Sequence, residues 1–342
     1  KIVSCSEEMK EIQDPWMRLF NSGEYSIFQS FEFNYYSWKF ELSKNVLNRL
    51  CIVLGKNNAI DWIIPLYIDS KNRLRFINDN HADFCDYISN EVIDFSKIYD
   101  YLRNNLNFRF IRLINLRSES NFYKSLICLS SINCVARSIS EYSDLVVKKG
   151  EFPYNVLHYR SHEKHRINKA FRDHQEKESI VFNIKTHTFP KQKILYLRNL
   201  MINSGVRKAD FLSDNRLLLI EKLFNCGLIW IHMIVDKDII HSCNIITRKH
   251  SRKFMFWIDL FDNLKMINIS SYIRFIKSAS LEHSLVMNFG RGGYFYKKSN
   301  FSPNFHQLYE FFLFQNTYQR LRFFVLDSFK KILVLIYKKI KF

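Results

Sequence analysis

Apolar and polar positions alternate in short runs along the second half of the chain. Runs rich in β-forming residues span Leu228–Val235, Ile239–Thr247 and Lys253–Leu260, with polar turns between them. Strands at this close spacing predict an antiparallel meander. The segment 270–284 then has helical periodicity, and Leu285–Phe289 has the pattern of another strand. This half is therefore predicted to contain three strands, a helix and a fourth strand.

The first half repeats the same order with a weaker pattern. Strand-like runs at Arg49–Leu54, Ala59–Ile68 and Arg73–Ile77 precede a helix-like segment at Phe95–Leu106 and a strand at Phe108–Asn115. Because one order of elements occurs twice, about half a chain apart, we interpret the sequence as a tandem duplication of one α/β unit.

The size of the chain agrees with two units. It has 342 residues, of which 47% are hydrophobic and 25% charged, enough apolar material for two cores. A charged, glycine-containing segment at 146–150 separates the halves. We therefore predict an N-terminal domain at 1–147, a C-terminal domain at 148–318 and a separate tail at 319–342.

The formal net charge of +18 favours a polyanionic partner such as nucleic acid, acidic lipid or a pyrophosphate-bearing molecule. No helix-turn-helix, zinc-finger or RNP pattern accompanies the charge, so a specific nucleic-acid partner is not expected. The tail alternates apolar clusters with lysines, which predicts a basic amphipathic helix at an anionic membrane surface. The alternative is a helix docked on the protein itself.

Cysteine usage and hydropathy bear on the compartment. Seven cysteines occur without a C-x-x-C pair or metal-type His/Cys spacing, so we predict reduced thiols and no metal. No apolar run reaches the roughly 18 residues of a membrane span, and the first residues lack an apolar signal core. The expected location is the cytoplasm, with peripheral attachment to the inner face of the membrane through the tail.

A glycine-rich stretch at Phe289–Lys298 contains the strongest chemical signal. It directly follows a strand-like run and has three of the chain's eight glycines within four positions. Glycines at a strand exit permit positive φ and close approach of a ligand to the backbone. Two tyrosines and a lysine follow at once. The alternative interpretation is a glycine-rich hairpin with aromatic packing.

With Phe301 four residues after Lys297, this stretch resembles the "DFGxGxxxYKxxF" signature of acetyltransferases associated with cellulose and surface-polysaccharide synthesis, in the GNAT superfamily. Weaker similarities occur in the order expected for that family. The segment 27–38 resembles the opening helix, Ile64–Leu66 the "PL" strand, and His81–Tyr87 the "DYxD" loop. Together they cover nearly all of residues 20–305.

The resemblance implies a fold and an activity. The fold class would be α/β, with two tandem GNAT-like domains, each a mixed, mainly antiparallel sheet flanked by helices. The activity would be acetyl transfer from acetyl-coenzyme A to an amino group of a nucleotide-linked amino sugar, related to surface-polysaccharide synthesis. In such folds two neighbouring strands diverge and the acyl-carrying arm lies between them; here these would be 254–260 and 285–289.

Catalytic candidates come partly from the resemblance. It implies that Lys297 stabilises an oxyanion, and that Tyr296 or Tyr294 protonates the leaving thiolate. The pattern itself adds Asp259, which alternates with Trp257 and Met255 on one strand face. A carboxyl group among apolar side chains is expected to have a raised pKa, as a general base needs.

Binding candidates form two groups. The start of the helix after the meander would hold the donor's pyrophosphate, since helix N-termini favour anions. This segment lacks the glycine-containing loop of many GNAT enzymes. The predicted donor-binding residues are Asn268, Ser270, Ser271, Arg274, Gly290 and Gly292. The predicted acceptor-binding residues are Asp83, Asp86 and His232.

Two other functions remain open from the sequence. Tandem-GNAT transferases of the Fem type, which transfer an aminoacyl group from tRNA to a peptidoglycan precursor, have similar halves and a similar lysine. A degenerate transferase fold that only binds a membrane or a polyanion is the third hypothesis.

Overall fold

The computed structural model describes residues 1–56, 59–129, 133–152, 161–249 and 252–325. The side chains of the following residues also lie outside that description: Lys56, Glu163, Lys249, Phe295, Tyr296 and Ser299. The predicted tail helix at 319–342 is therefore covered only in part. Residues 317–325 are helical, and 326–342 lie outside the described ranges. Within those ranges, no helix has both the length and the apolar character to cross a membrane.

The helices flank a sheet. In the first half they are α1 (Ser6–Glu11), α2 (Gln13–Ser22), α3 (Phe31–Ser37, continued by a π-turn at Trp38–Leu42), α4 (Phe95–Asn105) and α5 (Asn121–Ile127). In the second half they are α6 (Ser161–Asp173), α7 (Lys191–Asn203), α8 (Asp214–Asn225), α9 (Ile267–Ala279) and α10 (Phe295–Phe301).

The strands follow the predicted double series. The first half supplies β1 (Ile2–Val3), β2 (Arg49–Lys56), β3 (Ile60–Ile68), β4 (Arg73–Phe76), β5 (Ile88–Ser89), β6 (Phe110–Arg117) and β7 (Asn133–Val147). The second half supplies β8 (Glu178–Phe182), β9 (Ile229–Asp236), β10 (Ile239–Lys249), β11 (Lys253–Phe261), β12 (Leu285–Arg291) and β13 (Asn304–Phe314).

All these strands join in one sheet. Its order is β1-β2-β3-β4-β6-β13-β7-β12-β11-β10-β9-β8, with β5 paired to β3. The described pairs are antiparallel except β4 with β6 and β11 with β12, which are parallel. Each half thus contains a meander, a helix and a parallel strand, with helices packed on the sheet. The predicted fold class, α/β with a mixed, mainly antiparallel sheet flanked by helices, is confirmed.

Both parallel pairs are short, and their strands then diverge. β4 and β6 pair only at Arg73 with Phe110 and Leu74 with Ile111. β11 and β12 pair only from Lys253 with Val286 to Met255 with Asn288. β11 runs on to residue 261 and β12 to residue 291, while β4 runs on to residue 76 and β6 to residue 117. Because these later residues are not paired with each other, each half has a gap between its two parallel strands. The divergence predicted for the second half is therefore present.

The two halves exchange strands at the centre of the sheet. β7, from the first half, pairs with β12 of the second half, while β13, the last strand, pairs with β6 and β7. The sequence patterns gave no sign of this exchange. Since one sheet runs through both halves, the domain boundary placed at residue 147 stays a prediction.

Apolar side chains of α9 hold the second half together. Tyr272, Ile273, Phe275 and Ile276 are buried against strand residues of the same core, including Met287. Their spacing puts them on the helix face that meets the sheet. This packing fixes α9 against β9, β10 and β11, beside the gap between β11 and β12.

Candidate functional site

The glycine-rich turn at the end of β12 lies against the first half of the chain. Gly290 has φ of +68° and Gly292 has φ of +105°, values that favour glycine. A Cβ atom on Gly290 would lie 2.7 Å from Asp83 Oδ2 and 2.9 Å from the Phe256 carbonyl oxygen. The turn therefore brings Asp83, from the loop after β4, to the gap between β11 and β12.

Lys297 closes the same turn from the start of α10. Its side chain is buried, and its Nζ donates to the carbonyls of Gly290 at 3.2 Å, Arg291 at 3.3 Å and Gly292 at 2.9 Å. An ammonium group has three protons, so these three acceptors use all of its donors. Burial lowers the pKa of Lys297 to about 8, while the charges of Asp83 and Asp259 act in the opposite direction.

The structure describes the side chain of only one of the two predicted tyrosines. Tyr294 precedes α10 and is 59% exposed, with the Lys297 ammonium 5.1 Å from its ring centre. The side chain of Tyr296 lies outside the described part of the chain. The roles predicted for both tyrosines stay predictions.

Asp83 is held by the turn it contacts. The backbone N–H of Arg291 donates to its Oδ2 at 3.2 Å, and the Arg291 Nε lies 4.0 Å from its Oδ1. Burial raises the pKa of Asp83, although the charges of Arg291 and Lys297 oppose that rise. Asp83 and Lys297 therefore both contact the turn formed by Gly290, Arg291 and Gly292.

Asp259 lies on β11, beyond Met255, the last residue of that strand that pairs with β12. Asn244 Nδ2 donates to its Oδ1 at 2.9 Å, and the Tyr272 hydroxyl donates to its Oδ2. Burial raises the pKa of Asp259, and the two hydrogen bonds oppose the rise. A bulge in the β10–β11 pairing puts Asp259 on the strand face of Phe256 and Tyr272, and not on that of Trp257 and Met255 as the alternation predicted. The predicted carboxyl group is thus fixed in orientation by two neighbours.

A chain of polar side chains extends from Asn244 away from the gap. Asn244 Oδ1 accepts from the Ser271 hydroxyl, which lies 3.1 Å from His232 Nδ1. On its other side, His232 Nε2 is 2.8 Å from the Ser179 hydroxyl. His232 is fully buried, and burial lowers its pKa to about 4, so the ring is neutral near pH 7. His232 therefore belongs to a buried hydrogen-bond network that ends at Asp259.

The residues predicted for a pyrophosphate do not converge on one point. Asn268 Oδ1 accepts from the backbone N–H of Ile269 at 2.8 Å. Ser270 is fully buried, and its hydroxyl has no hydrogen-bond partner among the described residues. Arg274 donates to the carbonyls of His174 at 3.3 Å and Gln175 at 3.1 Å, and to that of residue 177. We therefore assign none of them a contact with a donor.

Asp86 lies apart from this site. Its carboxylate accepts from the backbone N–H groups of Asn121 at 3.2 Å and Phe122 at 3.0 Å, at the N-terminus of α5. Burial raises its pKa to about 6, and the hydrogen bond from Phe122 opposes the rise. In this structure its contacts are with the first half's own backbone.

Arg216 is a site residue that the sequence analysis missed. It is buried on α8, its guanidinium is 4.8 Å from the Trp257 ring centre, and it donates to the His81 carbonyl at 3.4 Å. Burial lowers its pKa to about 10, which the charges of Glu41 and Asp83 oppose. The sequence did contain one indication of this role: Arg216 has the helical spacing of Ile220 and Leu223 and so falls on the apolar face of α8.

Arg291 was also missed, although it lies inside the glycine-rich stretch. Its guanidinium donates to Asn115 Oδ1 at 3.0 Å and to the Asn80 carbonyl at 3.2 Å. These bonds connect the second half's turn to the first half's loop. Among the described residues, no group of three or more His, Cys, Asp or Glu side chains is arranged to hold a metal.

The fold and site can be compared with those of known proteins. No protein-family model matches the chain, and no curated protein matches it. Solved structures do match over most of its length. A conserved protein of unknown function from Bacteroides thetaiotaomicron is 9% identical with a TM-score of 0.62, and the match covers 92% of this chain and all (100%) of that one.

Two further solved structures have related descriptions. One is the C-terminal DUF2156 domain of a candidate lysylphosphatidylglycerol synthetase from Agrobacterium fabrum, 7% identical, TM-score 0.59, covering 92% of this chain and 96% of that one. The other is L-PGS from Bacillus licheniformis, 10% identical, TM-score 0.58, covering 91% and 92%. At these identities the similarity establishes a shared fold.

Proposed function

We propose that this protein is an acyltransferase that moves an acyl group from a thioester donor to an amine, at the gap between β11 and β12. One observation carries the proposal. Two carboxyl groups with raised pKa, Asp83 and Asp259, lie close enough to the buried ammonium of Lys297 for their charges to raise its pKa. Opposed titratable groups with shifted pKa values at one strand gap are typical of an acid–base site.

The proposed chemistry assigns a role to each group. Asp259 takes a proton from the acceptor amine as that amine attacks the thioester carbonyl, and Asn244 and Tyr272 hold the carboxylate in place. Lys297 acts on the developing oxyanion through its charge, because its N–H groups point at carbonyls of the turn. Asp83 contacts the incoming amine before transfer. The leaving thiolate takes a proton from Tyr294 or Tyr296.

We further propose acetyl-coenzyme A as the donor and a nucleotide-linked amino sugar as the acceptor, as the resemblance to polysaccharide-type acetyltransferases implies. The tail at 319–342 would hold the protein at an anionic membrane surface. The net charge of +18 supports partners that carry phosphate.

The test combines binding with turnover. Calorimetry should detect coenzyme A binding to the wild-type protein, and mass spectrometry should detect acetyl transfer to one member of a panel of nucleotide amino sugars. Asp259→Asn should lower turnover by about 100-fold or more. Asp236→Asn, which removes a half-exposed carboxylate at the end of β9, two strands away from β11, should leave turnover unchanged. Full activity in Asp259→Asn would contradict the assignment.

A second candidate is aminoacyl transfer from a charged tRNA to a lipid or a peptidoglycan precursor. The observation that favours it is the shared fold with structures described as lysylphosphatidylglycerol synthetase and L-PGS. The same base and charge would serve, since an aminoacyl ester is also an activated carbonyl.

Donor preference separates the two candidates. Thermal stabilisation by coenzyme A with none from aminoacyl-tRNA supports acetyl transfer, and the reverse result supports aminoacyl transfer. If neither donor binds while anionic vesicles do, both transferase proposals are wrong and the fold acts as a binding module.

A further inference from the structure

An arginine-rich groove lies at the opposite end of β6 from the candidate site. It has a volume of about 650 Å³ and is lined in part by Lys71, Arg73, Arg109, Arg112, Arg137 and Arg322. Phe110 lies in its wall, five positions before Asn115, which contacts Arg291 of the candidate site. At about 3.3 Å per strand residue, roughly 17 Å separate the two regions.

Two of these arginines are held in place by a buried carboxylate. Glu310 is only 2% exposed, and it accepts from Arg112 Nε at 2.6 Å and from Arg137 Nε at 2.7 Å. The two guanidinium groups also lie over the Phe312 ring, 5.9 Å and 4.9 Å from its centre. Since both contacts fix the guanidinium planes, this part of the groove is preorganised.

The groove has more positive charge than its acids neutralise. Arg73 pairs with Asp69, and Arg112 and Arg137 share Glu310. Within the described ranges, no carboxylate pairs with Lys71, Arg109 or Arg322. Six cationic side chains and two carboxylates leave an excess of four positive charges.

The far wall of the groove comes from the start of the tail. Phe323, in the helical segment 317–325, packs on Phe312 with 4.5 Å between ring centres and on Phe314 with 5.2 Å. This packing brings Arg322 into the lining of the groove, which Arg109 also lines. The cations therefore surround a concave space and do not form a flat patch.

We propose that this groove is a second binding site, and that it takes the pyrophosphate group of a small phosphorylated molecule. The volume is that of a small-molecule pocket, which typically lies between roughly 300 and 1,000 Å³. Clustered guanidinium groups suit phosphate oxygens, which accept paired hydrogen bonds from them. A diphosphate carries a charge that the excess of four cations can balance. The site does not depend on the proposed acyltransferase activity.

Calorimetry with inorganic pyrophosphate at low ionic strength tests the site. The wild-type protein should bind pyrophosphate. The double variant Lys71→Gln/Arg109→Gln should weaken binding by about tenfold or more, since both side chains are exposed and leave the buried Glu310 pairs intact. Arg322→Gln, which removes the cation contributed by the start of the tail, should weaken pyrophosphate binding by about threefold.

A matched control removes the same charge elsewhere. Lys97 and Arg103 are exposed on α4, so Lys97→Gln/Arg103→Gln should bind pyrophosphate as the wild type does. No pyrophosphate binding by the wild type overturns the proposal, as does equal weakening in both double variants. Flotation with phosphatidylglycerol vesicles tests whether the bound phosphate belongs to a lipid headgroup or to a soluble molecule. If vesicles bind through Lys71 and Arg109 while pyrophosphate does not, the groove is a lipid-headgroup site and the proposal fails.

Discussion

The two gaps in the sheet come from the same order of elements but are occupied differently. In the first half, the loop after β4 turns back into the gap. The Cys85 N–H donates to the Asn115 carbonyl at 3.0 Å, and Asn115 Nδ2 donates to the carbonyls of Asp79 at 2.9 Å and Ala82 at 2.8 Å. Buried Phe84 fills the space alongside. Backbone of the same unit therefore seals this gap.

In the second half, a short connection of five residues, 262–266, leads from β11 into α9, so no loop returns to the gap. Titratable side chains border it instead, with Asp83 and Lys297 at the turn and Asp259 on the strand. The comparison teaches that loop length after the third meander strand decides whether a gap is sealed or carries chemistry. It also gives the first half a role, since its sealing loop supplies Asp83.

The largest expected effect comes from filling the contact at Gly290. Gly290→Ala should destabilise the protein by about 4 kcal/mol, because the new methyl group meets a backbone oxygen and the residue has positive φ. Chemical denaturation measures the change. Gly205→Ala is the control, since Gly205 has φ of +73° and nothing within 4 Å of an added Cβ. It should cost only about 1 kcal/mol, and equal losses would mean that the contact with Asp83 and Phe256 is unimportant.

Removing the hydrogen bonds that close the gap of the first half should have the next largest effect on stability. Asn115 is fully buried, has φ of +60° and bonds two carbonyls. Asn115→Ala should cost about 3 kcal/mol, since it orphans buried carbonyls and puts alanine in a left-handed conformation.

Asn72→Ala is the matched control for Asn115→Ala, because Asn72 has φ of +57° and sits in a surface turn. It should cost about 1 kcal/mol in the same denaturation experiment. A loss as small as this in Asn115→Ala would show that the first gap is not sealed through this residue.

Acid should weaken the second half through His232. The pKa of His232 is lowered to about 4 in the folded state, below its ordinary value of 6.5. The unfolded chain then binds the proton first, so stability is present above the unfolded pKa and is lost as pH falls towards the folded one. Between about pH 7 and pH 5 this group alone should cost about 2 kcal/mol.

Denaturation of His232→Gln at both pH values tests this, because that variant should lack the additional acid loss. His283→Gln, which changes an exposed histidine, should keep the wild-type pH dependence. If all three proteins lose the same stability in acid, the neutral ring is not what the network requires.

The smallest effect tests the charge coupling across the turn. Asp83 raises the pKa of Lys297, which burial holds at about 8. If the rate depends on the ammonium form, it should fall as pH rises through that value. Asp83→Asn should move this alkaline limb down by less than about one pH unit, read from the pH dependence of kcat.

Asp86→Asn supplies the comparison for that shift. Asp86 lies in the same loop, but its carboxylate contacts the start of α5. Its removal should lower stability without moving the alkaline limb. If the alkaline limb of the kcat profile does not move in Asp83→Asn, the charge of Asp83 does not influence the pKa of Lys297.

Much of the local structure was predictable because periodicity depends on neighbouring residues. All six meander strands were placed within two residues of their observed ends. The helix predicted at 270–284 instead begins at Ile267 and ends at Ala279. Its end was misjudged because apolar and polar residues after 279 continue a helical pattern that the turn into β12 interrupts.

The site was predictable only in part. The glycines and Lys297 form one local segment, so their closeness follows from the sequence. The surroundings of Asp259 did not follow, because a bulge between β10 and β11 turns it away from Trp257 and Met255. Arg216, Tyr272 and Asn244 gave little signal, because each has an ordinary place in its own element. Their importance comes from contacts between elements.

By itself the sequence determined the double order of elements and the glycine-rich turn, since both arise from residues close together in the chain. The tertiary structure alone decided that β7 and β13 cross between the halves and that Asp83 meets Arg291, 208 residues away. Pairing between distant strands depends on which edges remain free once each unit has folded. No local pattern of apolar and polar residues contains that information.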